Sequence, residues 1–326
     1  MKSRILGKSG LNVSEIGLGC WQFGGDFGPI DSERALATLS AASAAGVTFF
    51  DTADVYGAGQ SESFVGQHVA SGIGEAVVAT KVGRTDALYP DKYTYEGIRS
   101  HLLASAERIG VEQIDLIQLH CVPPAELERG AVFDILNRLQ AEGVCRAWGA
   151  SVETLAEAKV CLKQEGLTSL QIIFNLFRQD AAWELLPAAE AANVGVIVRL
   201  PLASGMLSGK FGKDTKFAET DHRNYNKDGA AFSVGETFSG IEFSKALELV
   251  EALQDFVPEG MSLVEFSLRW LLDFPAVSSV IAGCSRPQQV TDNVRASDLP
   301  PLSDEIHAAL RAFYEGSVRE HIRCPI

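Results

Sequence analysis

Short β-branched runs alternate with amphipathic helical stretches along almost the whole chain, and the interval between them is nearly regular. The pattern predicts strands at Ile16–Gly19, Val47–Phe50, Ala76–Thr80, Ile114–Leu119, Arg146–Ala150, Leu170–Phe174, Gly195–Arg199 and Ser279–Ala282. Up to the seventh strand, successive starts lie 24 to 38 residues apart. That is the length a strand, a crossover helix and two short turns occupy, so the repeat points to parallel strands. Helix ends are marked as well. Asp31 can cap a helix running to Gly46, Thr94 can open one ending at Gly110, and Ser262-Leu-Val-Glu265 reads as a capping box for a helix through Leu272. The last interval is 84 residues. It holds a Gly-, Lys- and Asp-rich stretch, Gly205–Ser239, then two helical patterns, read as a long functional loop and extra helices.

Eight strands, each followed by a helix, predict a closed (β/α)8 TIM barrel, with residues 1–326 as a single domain. A doubly wound sheet is the competing fold, and it usually carries a glycine-rich turn after its first strand. Gly17-Leu-Gly19-Cys-Trp-Gln22 lacks the third glycine of G-x-G-x-x-G, and Gly57-Ala-Gly59-Gln-Ser-Glu62 fails in the same way. Gly205-Met-Leu-Ser-Gly209-Lys210-Phe211 is too short for a P-loop and has no Ser or Thr after its lysine.

Charge narrows the partners. With 28 Lys and Arg against 42 Asp and Glu, the net charge is −14, which disfavours nucleic acid and anionic membrane surfaces. No apolar run reaches about 18 residues, so no membrane span is expected. Met1–Gly7 develops no signal-peptide core, and the six cysteines form no C-x-x-C pair; a reduced, cytoplasmic protein is the expectation. His222 has no partner at metal-ligand spacing, and no metal is expected. No heptad seam or apolar patch is visible, which favours a monomer.

In a barrel of this kind, the residues just past each strand's C-terminal end converge on one face. Asp51 follows the second strand, Lys81 ends the third and His120 ends the fourth, while Tyr56 lies five residues past Asp51. Alone, each has an ordinary explanation: a cap, a surface lysine, a structural histidine, a rim aromatic. Together, on one register, they suit proton delivery to a carbonyl oxygen. An ammonium beside a tyrosine is expected to lower the phenol's pKa from its usual ~10 toward neutrality. A carboxylate would hold that ammonium, and a histidine opposite would hydrogen-bond the substrate oxygen. None of these groups supplies a hydride, so the set requires a reduced cofactor.

The segment Ala45–Glu62, with Asp51-Thr-Ala-Asp-Val-Tyr56-Gly, closely resembles the aldo-keto reductase signature. Leu6–Ser14 looks like that family's N-terminal β-hairpin closing the barrel bottom. Further matches follow in order: Thr80-Lys81, Leu119-His120, Gly149-Ala-Ser151, Phe174-Asn175, Pro201–Gly205 with Leu207 and Gly209-Lys210, and Gly283–Asn293. The branch resembled is the bacterial, potassium-channel β-subunit-like and aryl-alcohol dehydrogenase-like one. The resemblance implies a nicotinamide-dependent carbonyl oxidoreductase with Tyr56 as general acid/base, tuned by Lys81 and Asp51, and His120 orienting the carbonyl. By the same match, Ser151 and Gln171 would hold the carboxamide. Pro201, Leu202, Ser204, Gly205, Leu207 and Lys210 would wrap the pyrophosphate, Gly283 would precede the phosphate-binding helix, and Ser285, Arg286 and Gln289 would contact a 2′-phosphate, with Asn293 at the adenine. NADP(H) is therefore expected over NAD(H). The residue reading agrees at one point: Ser285-Arg-Pro-Gln288 is a plausible helix start, and a helix N-terminus beside an arginine suits a phosphate.

Two positions depart from the family pattern. Val152 stands where an asparagine commonly follows the carboxamide-binding serine, and Arg199 aligns where an aromatic residue often stacks on the nicotinamide. A guanidinium can stack too, and its charge would favour the reduced ring; a salt bridge from Arg199 to a loop carboxylate is the alternative. Trp21, Asp54, Val55 and Cys121 are expected to flank the substrate, with 214–239 closing over it. Asp221-His-Arg223-Asn224 would clasp cofactor phosphates or a polyol hydroxyl, or else form a solvated loop. The leading expectation is NADPH-dependent reduction of an aldehyde or ketone. Oxidation of a sugar or cyclitol, or a cofactor-binding regulatory subunit, are the alternatives.

Overall fold

The structure, a computed structural model, describes residues 1–326. Two short antiparallel strands, β1 (Ser3–Ile5) and β2 (Asn12–Ser14), precede eight parallel ones: β3 (Ile16–Gly19), β4 (Phe49–Asp51), β5 (Val77–Val82), β6 (Ile114–His120), β7 (Cys145–Ser151), β8 (Ser169–Ile173), β9 (Gly195–Arg199) and β10 (Val277–Gly283). The order β10-β3-β4-β5-β6-β7-β8-β9 closes on itself because β10 pairs with both β3 and β9. All eight expected strands form, and the sheet is the (β/α)8 barrel. β4 starts at Phe49 rather than Val47, since the Val47 N–H still donates to Ala42 O in the turn that ends the preceding helix.

Helices α1 (Ser32–Ala44), α2 (Gln60–Ala70), α3 (Tyr95–Ile109), α4 (Pro124–Arg129), α5 (Ala131–Ala141), α6 (Leu155–Leu162) and α7 (Ala181–Ala191) cover the outside. Asp31 accepts from the Arg34 N–H and Thr94 from that of Gly97, so both expected caps form. The buried faces of these helices and the outward residues of the strands form two apolar clusters, a large one around most of the barrel and a smaller one where α1 and α2 cover β3 and β4.

Inside the barrel a separate cluster fills the lower half. Phe49, Ala79, Leu116, Ala147, Ile197 and Ile281 point inward and meet Leu6, Leu11 and Val13 from the N-terminal hairpin. A Cβ on Gly7 would collide with backbone of Thr168 and Gly195, so the hairpin turn lies directly against the starts of β8 and β9. Arg4 ties the same hairpin to the Val277 and Leu272 carbonyls at 2.7 Å each. The bottom is sealed, with the inward Ser279 Oγ donating to Ser14 O at 2.9 Å, and the charged and amide inward residues lie toward the top.

After β9 the chain makes a tight turn over Ala203–Ser208, then α8 (His222–Tyr225), then single turns at Val234–Glu236 and Phe238–Gly240. Helices α9 (Phe243–Leu253) and α10 (Leu263–Leu272) lead into β10, and α10 begins with the expected Ser262/Glu265 capping box. The 221–224 stretch is not a solvated loop. His222 is fully buried, its backbone N–H donates to Asp26 O at 2.8 Å, and Tyr225 reaches Asp26 Oδ1 at 3.0 Å. The insertion is thereby fastened across the barrel mouth. Helices α11 (Pro287–Val294) and α12 (Asp304–Phe313) follow, with further helical turns over Tyr314–Val318 and Arg319–His321, and no helix is long and apolar enough to cross a membrane.

Candidate active site

One cavity of about 910 Å3 occupies the C-terminal face of the barrel. Alternation along the strands aims Asp51, His120 and Gln171 into its floor and places Lys81 and Gln118 directly beneath, inside the barrel. Tyr56 comes from the β4–α2 turn, where Gly57, Ala58 and Gly59 all have positive φ (60°, 53° and 90°). A Cβ on Gly57 would sit 2.9 Å from Gly24 Cα, so this turn needs glycine for both its conformation and its packing.

Lys81 is the centre of the floor. Its Nζ donates to Asp51 Oδ1 at 2.5 Å, to Thr52 O at 2.9 Å and to Tyr56 Oη at 3.1 Å. Burial opposes its charge, yet Asp51 and Tyr56 hold its pKa above the ordinary lysine value. Asp51 Oδ2 accepts from Gln118 Nε2 at 2.9 Å and Gln171 Nε2 at 2.8 Å. The carboxylate is thus both buried and fully hydrogen-bonded, which keeps a buried charge tolerable. The second Gln171 amide proton goes to Gln118 Oε1 at 3.1 Å, and its Oε1 accepts from Ser151 Oγ at 3.4 Å.

The phenol differs from the expectation. Burial raises the Tyr56 pKa above its usual value and outweighs the opposing pull of Lys81. Tyr56 is packed between Trp21, stacked at 6.0 Å between ring centroids, and His120, edge-on at 5.9 Å. Burial, and the cations Arg84, Lys81 and Arg199, hold His120 well below the usual imidazole range, so its ring is neutral. Its buried Nδ1 has no partner.

Most of the expected residues meet in this cavity. Asp51, Tyr56 and His120 line its inner end, with Trp21, Val55 and Cys121 beside them. Ser151, Gln171, Arg199, Pro201, Leu202, Ser204, Gly205, Lys210 and Arg223 continue along one wall, and Gly283, Ser285, Arg286, Gln289 and Asn293 line the outer end. Three do not line it. Lys81 lies just beneath, fully buried and bonded to Asp51 and Tyr56, which do line it. Leu207 is fully buried in the larger apolar cluster because its side chain turns away from the loop's cavity face. Asp54 is turned behind the site toward His101, whose Nδ1 lies 3.4 Å from its Oδ2. Burial and the neighbouring Glu62 push the Asp54 carboxyl up to about 7. Arg199 forms the loop salt bridge: Nη1 is 3.5 Å from Glu236 Oε1, and Nη2 donates to Val152 O at 3.2 Å.

The residue reading passed over Gln118, Arg84, Glu153 and Glu236. Gln118 was accessible to it, being two residues before His120 on the same strand face. Glu236 was not, because an irregular loop carries no period.

A dinucleotide fits the long cavity. Leu200, Ala203, Ser204 and Gly205 have positive φ (52°, 46°, 57° and 93°), which curls the loop backbone around the cavity wall. Turn backbone of this kind can form an anion-binding concavity, and here the Ala203 and Gly205 N–H groups are given to Leu200 O and Leu202 O within the loop. Lys210, Arg223 and Arg286 are the cations along it, and Arg286 is the exposed N-cap residue of α11. At α11 the Ser285 N–H and hydroxyl both bond Gln289 Oε1, at 2.8 and 3.2 Å.

Comparison with known proteins agrees with this geometry. The chain is 31% identical over 324 residues to a probable voltage-gated potassium channel β subunit of Oryza sativa subsp. japonica, with 93% of each chain covered. It is 29% identical to the NADH-specific methylglyoxal reductase of Escherichia coli, covering 98% of this chain and 100% of that one. The structure of a glycerol dehydrogenase from Gluconobacter oxydans superposes with a TM-score of 0.77 at 28% identity, covering 99% and 97%. A family model described as "Aldo/keto reductase family" matches residues 15–315, which takes in all eight barrel strands and the whole of the Asp51–Tyr56–Lys81–His120 floor. The chain belongs to the aldo/keto reductase family.

Proposed function

We propose that the protein is an NADPH-dependent oxidoreductase that reduces an aldehyde or ketone to an alcohol. The observation that carries the reading is Lys81 Nζ, bonded to Asp51 on one side and Tyr56 Oη on the other. A reduced nicotinamide, when bound, supplies the hydride to the carbonyl carbon. The Tyr56 phenol delivers the proton to the carbonyl oxygen, and its raised pKa keeps that proton in place at neutral pH. As the proton leaves, the Lys81 ammonium stabilises the phenolate, and Asp51 keeps Lys81 charged and aimed. Neutral His120 orients the carbonyl by a hydrogen bond.

Ser151 and Gln171 would hold the carboxamide; Gln171 has both amide protons committed, which leaves its Oε1 as the group that accepts. The loop from Pro201 to Lys210 would hold the pyrophosphate, and Arg286 with Ser285 the 2′-phosphate, with Asn293 near the adenine. Arg286 carries the preference for NADP(H), while a relative named as NADH-specific makes cofactor choice a direct question for experiment. The relative named as a glycerol dehydrogenase supports the reverse direction on a polyol as the second reading, with Tyr56 as base.

Absorbance of NADPH and NADH followed with a panel of aldehydes, and of the oxidised cofactors with polyols, tests both. Turnover that vanishes in Tyr56→Phe is expected. Tight cofactor binding with no turnover on any carbonyl or polyol would replace catalysis with a regulatory role.

A further inference from the structure

Four charged side chains from four separate segments of the chain meet beside Tyr56 and His120. Arg84 follows β5, Glu153 follows β7, Arg199 ends β9 and Glu236 belongs to the insertion. Arg84 Nη2 lies 3.1 Å from Glu153 Oε1, and its Nη1 lies 3.3 Å from Glu236 Oε1. Arg199 Nη1 approaches the same Glu236 oxygen, and the buried Arg199 Nε has no partner. The chain Glu153–Arg84–Glu236–Arg199 forms one charged wall of the inner cavity. The aromatic rings of Trp21, Phe27 and Phe232 also line it, with the Arg84 guanidinium 5.9 Å from the Phe232 ring.

Burial is uneven along this wall. The side chains of Glu236 and Arg199 are 4% and 11% exposed, those of Arg84 and Glu153 22% and 26%. Arg84 and Glu153 therefore face the space a substrate would occupy, and the inner pair anchors them.

Resting on the carbonyl-reductase reading, we propose that this wall binds the non-reacting end of the substrate and selects neutral, hydroxylated carbonyl compounds. Counted formally, two arginines and two glutamates sum to zero charge. An anionic group would compete with the glutamates for both arginines, and a cation would meet the arginines. A purely apolar chain would strip water from Arg84 and Glu153 and return no hydrogen bonds. A hydroxyl does both jobs, accepting from Arg84 and donating to Glu153, while the carbon chain rests on the aromatic side. Sites built to hydrogen-bond a substrate hydroxyl reject the analogue lacking it far more strongly than apolar pockets reject an extra one.

The test compares kcat/KM for glyceraldehyde and propanal, and for succinic semialdehyde and butanal, in wild type, Arg84→Met and Glu153→Gln. Wild type is expected to favour glyceraldehyde over propanal by about tenfold or more, and not to favour the anionic aldehyde. Each substitution is expected to reduce the glyceraldehyde-to-propanal ratio by about tenfold. Using the ratio within each variant cancels the intrinsic reactivity of the two aldehydes. If Arg84→Met fails to fold, Glu153→Gln, isosteric and partly exposed, carries the test alone. Turnover with an unchanged ratio, or a preference for the anionic substrate, overturns this inference and leaves the reductase reading standing. Absence of turnover on every carbonyl overturns that reading, and this one with it.

Discussion

Gln118 donates its amide to Asp51 Oδ2 at 2.9 Å, on the carboxylate oxygen opposite the one that holds Lys81. The bond makes Gln118 a positioning residue: it touches neither Tyr56 nor the open cavity, and acts through Asp51 on Lys81. Gln118→Met removes the donor at similar size, and kcat/KM is expected to fall by about tenfold, the worth of one hydrogen bond to a buried charge. Gln118→Glu adds a carboxyl that can donate like the amide when protonated and repels Asp51 when ionised. Its activity relative to wild type should fall as pH rises from 5.5 to 8. A pH-independent ratio would assign Gln118 a packing role only.

Removing the phenol oxygen removes the proton donor. Tyr56→Phe is expected to lower kcat by about 10²–10⁴-fold, the usual share of a general acid. Cofactor affinity, read by quenching of protein fluorescence, should stay close to wild type, which separates loss of chemistry from loss of the fold.

The protonation states set the pH profile. Burial raises Tyr56 above 10, so the phenol keeps the proton needed for reduction through the neutral range and loses it only as pH climbs past that value. His120 lies well below 6.5 and stays neutral. The reductive kcat/KM is expected to be flat from pH 6 to 9, with a decline only toward higher pH. An inflection near 6.5 that disappears in His120→Gln would contradict a neutral histidine.

At the outer end of the cavity, exposed Arg286 precedes α11. Arg286→Ala should raise the KM for NADPH by about tenfold or more and change that for NADH little, because only the former carries the extra phosphate. Equal changes for both cofactors would place the 2′-phosphate elsewhere.

Asp54 links the fold to pH. Its carboxyl is pushed from 3.8 to about 7, by burial first and Glu62 second, and both oxygens are buried without a hydrogen-bond partner. Because the folded form holds the proton more tightly than the unfolded one, its stabilising effect is full below about pH 4 and is lost as pH rises through 7. The amount is on the order of a few kcal/mol. Asp54→Asn cannot ionise, so its melting temperature relative to wild type should improve between pH 5 and 8. A constant difference would mean Asp54 does not titrate in that window.

How much was readable in advance depended on distance along the chain. The caps at Asp31, Thr94 and Ser262 involve partners three residues away, and the strand periods repeat within one segment; both are local and were legible. Asp51, Lys81 and His120 were placed together because parallel strands carry matched ends to one face. Asp54 was misplaced by the same reasoning. It lies two residues from Tyr56, and only the left-handed turn at Gly57–Gly59 decides which of the two side chains faces the mouth.

By itself, then, the amino-acid order determined the eight strands, their helices, the barrel they imply and the polar register of its upper end, since these follow from periodicity and covalent spacing. Tertiary structure alone decided that Arg199 pairs with Glu236, that Leu207 turns inward, that Gln118 and Gln171 share one oxygen of Asp51, and that burial outweighs Lys81 in setting the Tyr56 proton. Each depends on how much water is excluded and which distant side chain arrives within a few ångströms. Those quantities arise only when the barrel has closed.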